Sequence, residues 1–328
     1  MRRKLSSLAL AVLVALATAG VATAANGGFS PVEPASPNAH HIQGAYYLIL
    51  GFTAAIFVLV ESLLVIFIVK YRSRGRARAV EGAQVHGHTR LELIWTAFPV
   101  VILAIIAGFV FYELPNVDSA PAAADPIHVT VEGHQYYWQF DYADSPDQAR
   151  SIGTLHVPVG SVVDLKVVSP DVIHSWWVPA LGGKLDAIPG KTNFLTMLPT
   201  KLGTFRGQCA ELCGVQHAAM LAQVEVLPAA EFDSWVQSRV DDRAALGKET
   251  FEGVCAKCHG LAGQGDIGPN IAASALLKDP RALSKVIREG TGKMPAVGDD
   301  WTQGQMAATI AYLQRRFAQG GGSGGGQG

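Results

Sequence analysis

Cys209-Ala210-Glu211-Leu212-Cys213-Gly214-Val215-Gln216-His217-Ala218-Ala219-Met220 places two thiols, an imidazole and a thioether in one short stretch. Sulfur and imidazole donors are soft to borderline and favour copper over magnesium or calcium. Two thiolates four residues apart on a loop can bridge two metal ions, and each ion then needs a terminal imidazole. His217 supplies one. Asp171-Val172-Ile173-His174-Ser175-Trp176, on an earlier loop, offers His174 as the other, and Met220 can act as a weak axial ligand. Two other readings use the same residues: a Cys/His zinc site, or a Cys209–Cys213 disulfide of the kind found in exported proteins.

The two remaining cysteines lie in Cys255-Ala256-Lys257-Cys258-His259. This is the attachment motif of a c-type haem: two thiols add to the vinyl groups of one haem, and the adjacent histidine reaches the iron. A second axial ligand is expected downstream. Met294, in Gly292-Lys293-Met294-Pro295-Ala296, is the candidate; its rival Met306 sits among apolar neighbours in a helical pattern and suits core packing. Zinc or redox chemistry at the C-x-x-C pair is the competing reading. Thioether bonds and metal ligation together would use all four cysteines.

Around the first motif the pattern is β. Ile127-His128-Val129-Thr130-Val131, Ser161 to Val168 and Met220 to Val226 are alternating or β-branched runs punctuated by Gly and Pro, which predicts a β-sandwich or barrel over 126–228. From about Ala230 the texture turns helical. Ala244 to Glu252, Pro280 to Glu289 and Thr302 to Arg316 read as helices of an all-α domain over 241–318, and 319–328 is a flexible Gly-rich tail.

Upstream lie two long apolar runs, about 45–69 and 91–112, each sufficient for the ~20 residues of a membrane-spanning helix. Lys70, Arg72, Arg74, Arg76 and Arg78 lie between them and belong on the cytoplasmic side. The pair reads as a transmembrane hairpin over 40–115 that leaves everything after about Pro115 exported. Met1-Arg2-Arg3-Lys4, an apolar run and Ala22-Thr23-Ala24 describe a signal peptide over 1–25; an uncleaved first membrane helix is the alternative. Of all residues 49% are hydrophobic and 16% charged, and the net charge is −1. That mix suits a membrane-anchored chain and gives no reason to expect nucleic acid. The chain is therefore a multidomain membrane protein. Glu61 and Glu92 are carboxylates within apolar runs, a placement that is costly and usually functional or paired.

The copper-type motif resembles that of subunit II of haem–copper cytochrome c oxidases, and the resemblance spans about Ala45 to Leu227. It implies a cupredoxin-like domain with a dinuclear CuA site bridged by Cys209 and Cys213 and ligated by His174, His217, Met220 and the Glu211 backbone carbonyl. It further implies a magnesium or manganese ion shared with subunit I through the Glu211 carboxylate. Gly133-His134-Gln135-Tyr136-Tyr137-Trp138 resembles the family's aromatic cluster. Tyr136, however, stands where the family usually has the tryptophan that receives electrons from soluble cytochrome c. Lys184 to Gly190 looks like a family loop near the copper. Glu92, in Glu92-Leu93-Ile94-Trp95-Thr96, matches a glutamate at the mouth of a proton-uptake channel; an interfacial residue facing water or headgroups is the alternative. The segment Gly247 to Phe317 resembles a class I cytochrome c domain, which implies that the Pro269 carbonyl orients His259.

The fusion looks like the caa-type oxidases. Its implied role is to take electrons through covalent haem c to CuA and on to subunit I, where dioxygen is reduced to water with proton translocation. The implied partners are subunits I and III, an upstream donor such as a bc-type complex, and lipid of a bacterial plasma membrane, with both metal domains outside the cytoplasm. A copper-containing nitric oxide reductase subunit, or a membrane-anchored carrier without a catalytic partner, would use the same ligands.

Overall fold

The computed structural model describes residues 30–72, 86–119, 125–144, 149–241, 243–272 and 274–318. The expected signal peptide, the Gly-rich tail and Arg74, Arg76 and Arg78 of the basic loop lie outside the described residues. The described chain divides into two units.

The first unit holds two long helices, α1 (Pro37–Tyr71) and α2 (Thr89–Asp118). Both run beyond the apolar stretches that the sequence marks, because helical hydrogen bonding continues after the hydrocarbon-length segment ends. Their large apolar side chains face outward: Phe57, Ile68 and Leu103 are each more than 60% exposed. A helix apolar all round and uncovered by its own chain suits lipid or neighbouring membrane helices. His41 Nδ1 and Glu113 Oε2 lie 2.6 Å apart and pair the two helices. The start of α2 is capped reciprocally. His88 Nδ1 accepts from Leu91 N–H (3.2 Å), and Glu92 Oε1 accepts from His88 N–H (3.0 Å). This is the arrangement of a capping box. Glu61 is exposed on α1.

The second unit begins with a sandwich of two five-stranded sheets among the described residues. One sheet has the order β3–β2–β1–β5–β8, from β1 (Ile127–His134), β2 (Tyr137–Tyr142), β3 (Arg150–Ile152), β5 (Val163–Val168) and β8 (Asn193–Met197). The other has the order β4–β10–β9–β6–β7, from β4 (Thr154–Pro158), β6 (His174–Trp177), β7 (Leu185–Ala187), β9 (Gly203–Cys209) and β10 (Leu221–Leu227). Most pairs are antiparallel, while β1 with β5 and β4 with β10 are parallel. Alternation places Val163, Leu165 and Val167 inside, each fully buried; a buried aliphatic side chain of this kind contributes ~1.5–3 kcal/mol. Trp176 meets Trp138 and Phe140 edge to face, with centroids 5.2 and 5.5 Å apart.

Helix α3 (Ala229–Asp241) follows and packs Phe232, Trp235 and Val236 on the sandwich core. Next come α4 (Arg243–Thr250), a wide helical turn (Phe251–Cys255) and α5 (Ala256–His259). The helix expected to end at Glu252 thus continues through the cysteine motif and stops at Gly260, whose φ of +75° suits glycine. Gly247 lets α4 press on α7 (Gln303–Leu313): an added Cβ would sit 2.2 Å from the Ala308 carbonyl oxygen. Helix α6 (Pro280–Glu289) matches the predicted bounds because Asp279 caps Arg281 and Ala282 N–H and Pro280 opens the first turn. Phe251, Leu283, Ile287, Trp301, Met306, Ile310 and Phe317 form a second core, joined by Tyr137 and Ile152 of the sandwich.

Candidate metal centres

The loop after β9 and the start of β6 bring together the residues of the first motif. Cys209 and Cys213 are both buried, with sulfurs 3.9 Å apart. A disulfide requires ~2.05 Å, so the two thiols are free. His174 Nδ1 lies 3.9 Å from Cys209 Sγ, and His217 Nδ1 lies 3.6 Å from Cys213 Sγ. Met220 Sδ is 3.7 Å from Cys213 Sγ, and the Glu211 carbonyl oxygen is 3.2 Å from Cys209 Sγ. All six expected positions therefore converge. The Glu211 carboxylate is exposed and accepts from Leu212 N–H at 3.0 Å.

Electrostatics favour a cation here. Burial works against ionisation of Cys209, yet contacts with His174 and with the backbone of Ser175 and Glu211 bring its thiol down to about 6. Cys213 is pushed up to about 12 by burial and then by the charge on Cys209. The pair accepts one negative charge readily, and a second only beside positive charge. Two thiolates, two imidazoles, a thioether and a carbonyl fit a soft metal centre such as dinuclear copper.

Asp171 is the residue that motif reading passed over. Its Oδ1 lies 2.8 Å from His174 Nε2 and accepts that N–H, which leaves the Nδ1 lone pair facing the sulfurs. The carboxylate also accepts from Val172 N–H (2.5 Å) and Gln135 N–H (2.6 Å). Burial opposes the charge, but the bonds from His174, Val172 and Gln135 hold the carboxyl below its ordinary value. A carboxylate three positions before a ligand histidine was the available signal.

In the second motif His259 is buried and its Nδ1 lies 2.7 Å from the Pro269 carbonyl oxygen. A carbonyl only accepts, so Nδ1 carries the proton and Nε2 keeps its lone pair for an iron. Burial pushes the Cys255 thiol up to about 12. Met294 is half-buried in a turn closed by reciprocal backbone bonds with Thr291 (2.8 and 3.0 Å). Met306 is 4% exposed within the helical core.

The two centres adjoin. Gln216, next to His217, donates from Nε2 to Cys258 Sγ at 3.3 Å. Tyr136 is held from both sides: its hydroxyl accepts from Val215 N–H at 3.2 Å, and its carbonyl accepts from Lys257 Nζ. Gly214, at φ +134°, gives Tyr136 room, since an added Cβ would lie 2.5 Å from the hydroxyl oxygen. Neither Gln216 nor Lys257 carries a sequence signal for this contact, which joins residues far apart in the chain.

The family model for the cytochrome c oxidase subunit II transmembrane domain matches residues 24–112, and that for its periplasmic domain matches 151–227. The model described as cytochrome c oxidase, cbb3-type, subunit III matches 242–313. Cytochrome c oxidase subunit 2 of Alkalihalophilus pseudofirmus is 32% identical over 317 residues, covering 86% of this chain and 89% of the relative. Probable cytochrome c oxidase subunit 2 of Rickettsia bellii is 33% identical over 231 residues, covering 65% and 83%. The crystal structure of the periplasmic domain of subunit II of cytochrome oxidase of Bradyrhizobium japonicum is 34% identical, covering 38% of this chain and 98% of that one, with a TM-score of 0.35.

Proposed function

The chain belongs to the cytochrome c oxidase subunit II family and carries a fused cytochrome c domain, and on that premise we propose that it is the electron-receiving subunit of a terminal oxidase. It accepts electrons from an external cytochrome donor, such as a bc-type complex, outside the cytoplasm. It passes them to a haem–copper subunit I, which reduces dioxygen to water and translocates protons. Subunit III completes the assembly, in a bacterial plasma membrane.

Cys255, Cys258 and His259 would hold haem c, with Met294 as the second axial ligand. His174, Cys209, Glu211 (through its carbonyl), Cys213, His217 and Met220 would hold dinuclear copper. When bound, these groups take up and release single electrons. The chain's own residues do the rest. Asp171 fixes the His174 tautomer, and Pro269 fixes that of His259. The exposed Glu211 carboxylate is free to meet a magnesium or manganese ion shared with subunit I. Glu92 caps α2 on the expected cytoplasmic side, where it could also pass protons to subunit I.

The observation that carries this reading is the bond from Gln216 Nε2 to Cys258 Sγ. It joins the haem-motif sulfur to the residue beside His217. Tyr136 fits the same arrangement, because its carbonyl is taken up by Lys257 of the chain's own cytochrome segment. A donor already in place acts at a high effective concentration.

The test is to purify the native complex from membranes and measure its copper, covalent haem and oxygen consumption together. Two coppers beyond the copper of subunit I, and one covalent haem, are expected per chain, with oxygen uptake. Zinc in place of copper, no covalent haem, or consumption of nitric oxide rather than oxygen would overturn the reading.

A further inference from the structure

A third cluster uses none of the ligand-type residues of either centre. Glu132 and His134 are two residues apart on β1 and so share a face of the sheet. Asp300, from the loop before α7, meets them across the junction between the sandwich and the helical domain. The three ligand-type atoms all lie within 4.8 Å of one another. His134 Nε2 is 3.4 Å from Glu132 Oε2 and 3.8 Å from Asp300 Oδ2. We propose that Glu132, His134 and Asp300 form a binding site for a divalent cation of the zinc class, which clasps the copper-type domain to the cytochrome domain.

The orientation of His134 carries the argument. Its side chain is 8% exposed, and its Nε2 is buried without a hydrogen-bond partner. That nitrogen aligns as a hydrogen bond with neither carboxylate, although both lie within 4 Å of it. The ring is not free to turn away. It stacks on Tyr137 with centroids 4.5 Å apart and planes 1° from parallel. Tyr137 is itself fixed, since its hydroxyl accepts from Trp301 Nε1 (3.1 Å) and donates to the Val297 carbonyl (3.2 Å). Ligand–metal distances of ~2.0–2.2 Å in a tetrahedral site place ligand atoms about 3.4 Å apart. The His134–Glu132 separation already has that value, and the His134–Asp300 separation needs a few tenths of an ångström.

The donor set selects the metal. One imidazole and two carboxylates suit zinc better than calcium or magnesium, which prefer oxygen alone. Three protein ligands leave a fourth position for water. Glu132 is steadied by Gln139 Nε2 at 3.0 Å. The nearby Arg150 guanidinium is engaged by Asp141 and by Gln305. The competing arrangement is a plain ion pair in which protonated His134 bridges the carboxylates without metal.

The two are separated by zinc titration of the purified, assembled oxidase after mild chelation, using equilibrium dialysis with zinc alone. The wild type is expected to bind one more zinc per chain than Glu132→Gln or Asp300→Asn, or to bind that equivalent at least about tenfold more tightly, with copper and haem content unchanged. Equal zinc binding in all three proteins leaves only the ion pair and overturns the site. Should a variant fail to assemble, anomalous scattering at the zinc edge from the wild-type complex decides alone. A peak beside His134 Nε2 supports the proposal, and its absence under saturating zinc refutes it.

Discussion

Asp171 shows how much one carboxylate contributes to a neighbouring site. It accepts from His174 Nε2 and from two backbone N–H groups, so it sets both the tautomer and the position of a proposed copper ligand. Outer partners of this kind are typically worth 10–100-fold in metal affinity. Asp171→Ala is therefore expected to lose copper ~10–100-fold more readily in a chelator challenge, while the covalent haem spectrum stays the same. Unchanged copper retention would mean that packing alone orients His174. The ligands themselves were legible because Cys209 to Met220 is a contiguous stretch whose spacing follows from chemistry. Asp171 left only a faint signal, a carboxylate three positions before a ligand histidine. Gln216, Lys257 and Asp300 left none, because their roles exist only after the chain has folded residues from different domains against one another.

Among the elements, α6 and α3 make an instructive pair. Asp279-Pro280 at one end and Gly290 at the other punctuate α6 so strongly that its bounds were readable. Helix α3 lies where the texture changes, and its existence depends on docking to the sandwich. Trp235 stacks on His156 with centroids 4.3 Å apart, and it also meets Tyr142. Burial, then the Arg239 charge, push the His156 imidazole down to about 4, despite a Glu225 carboxylate 3.1 Å from its Nε2. In the unfolded chain the same group titrates near its ordinary ~6.5. Between these values the unfolded state binds the extra proton, so stability is fully present above about 6.5 and falls as pH drops towards 4. The loss is on the order of 3 kcal/mol. Thermal unfolding of the solubilised chain, followed from pH 7 to 4, should show this decline, and His156→Gln should flatten it. A wild-type profile as flat as the variant's would show that His156 takes up its proton in the native state.

For the whole molecule, the fusion of a cytochrome c domain to a subunit II matters most. Fold class was legible at this scale, since apolar runs, alternating strands and late helices follow one another with little overlap. The way in which the helical domain rests on the sandwich was not, because no local pattern encodes it. Truncation after Asp241 in the assembled oxidase is expected to make oxygen consumption depend on added soluble cytochrome c. Full turnover without any added cytochrome would contradict the tethered-donor reading.

Tyr137 and Ile152 belong to the sandwich by sequence and to the second core by burial. The helical domain is thus not a self-contained cartridge. Cut away, it would carry a socket shaped for two missing side chains, and the partner left behind would present two bare greasy pegs to water. Swapping in a cytochrome from another source would succeed only where the newcomer brings a matching recess. Exchange of this domain therefore requires both faces to change in step.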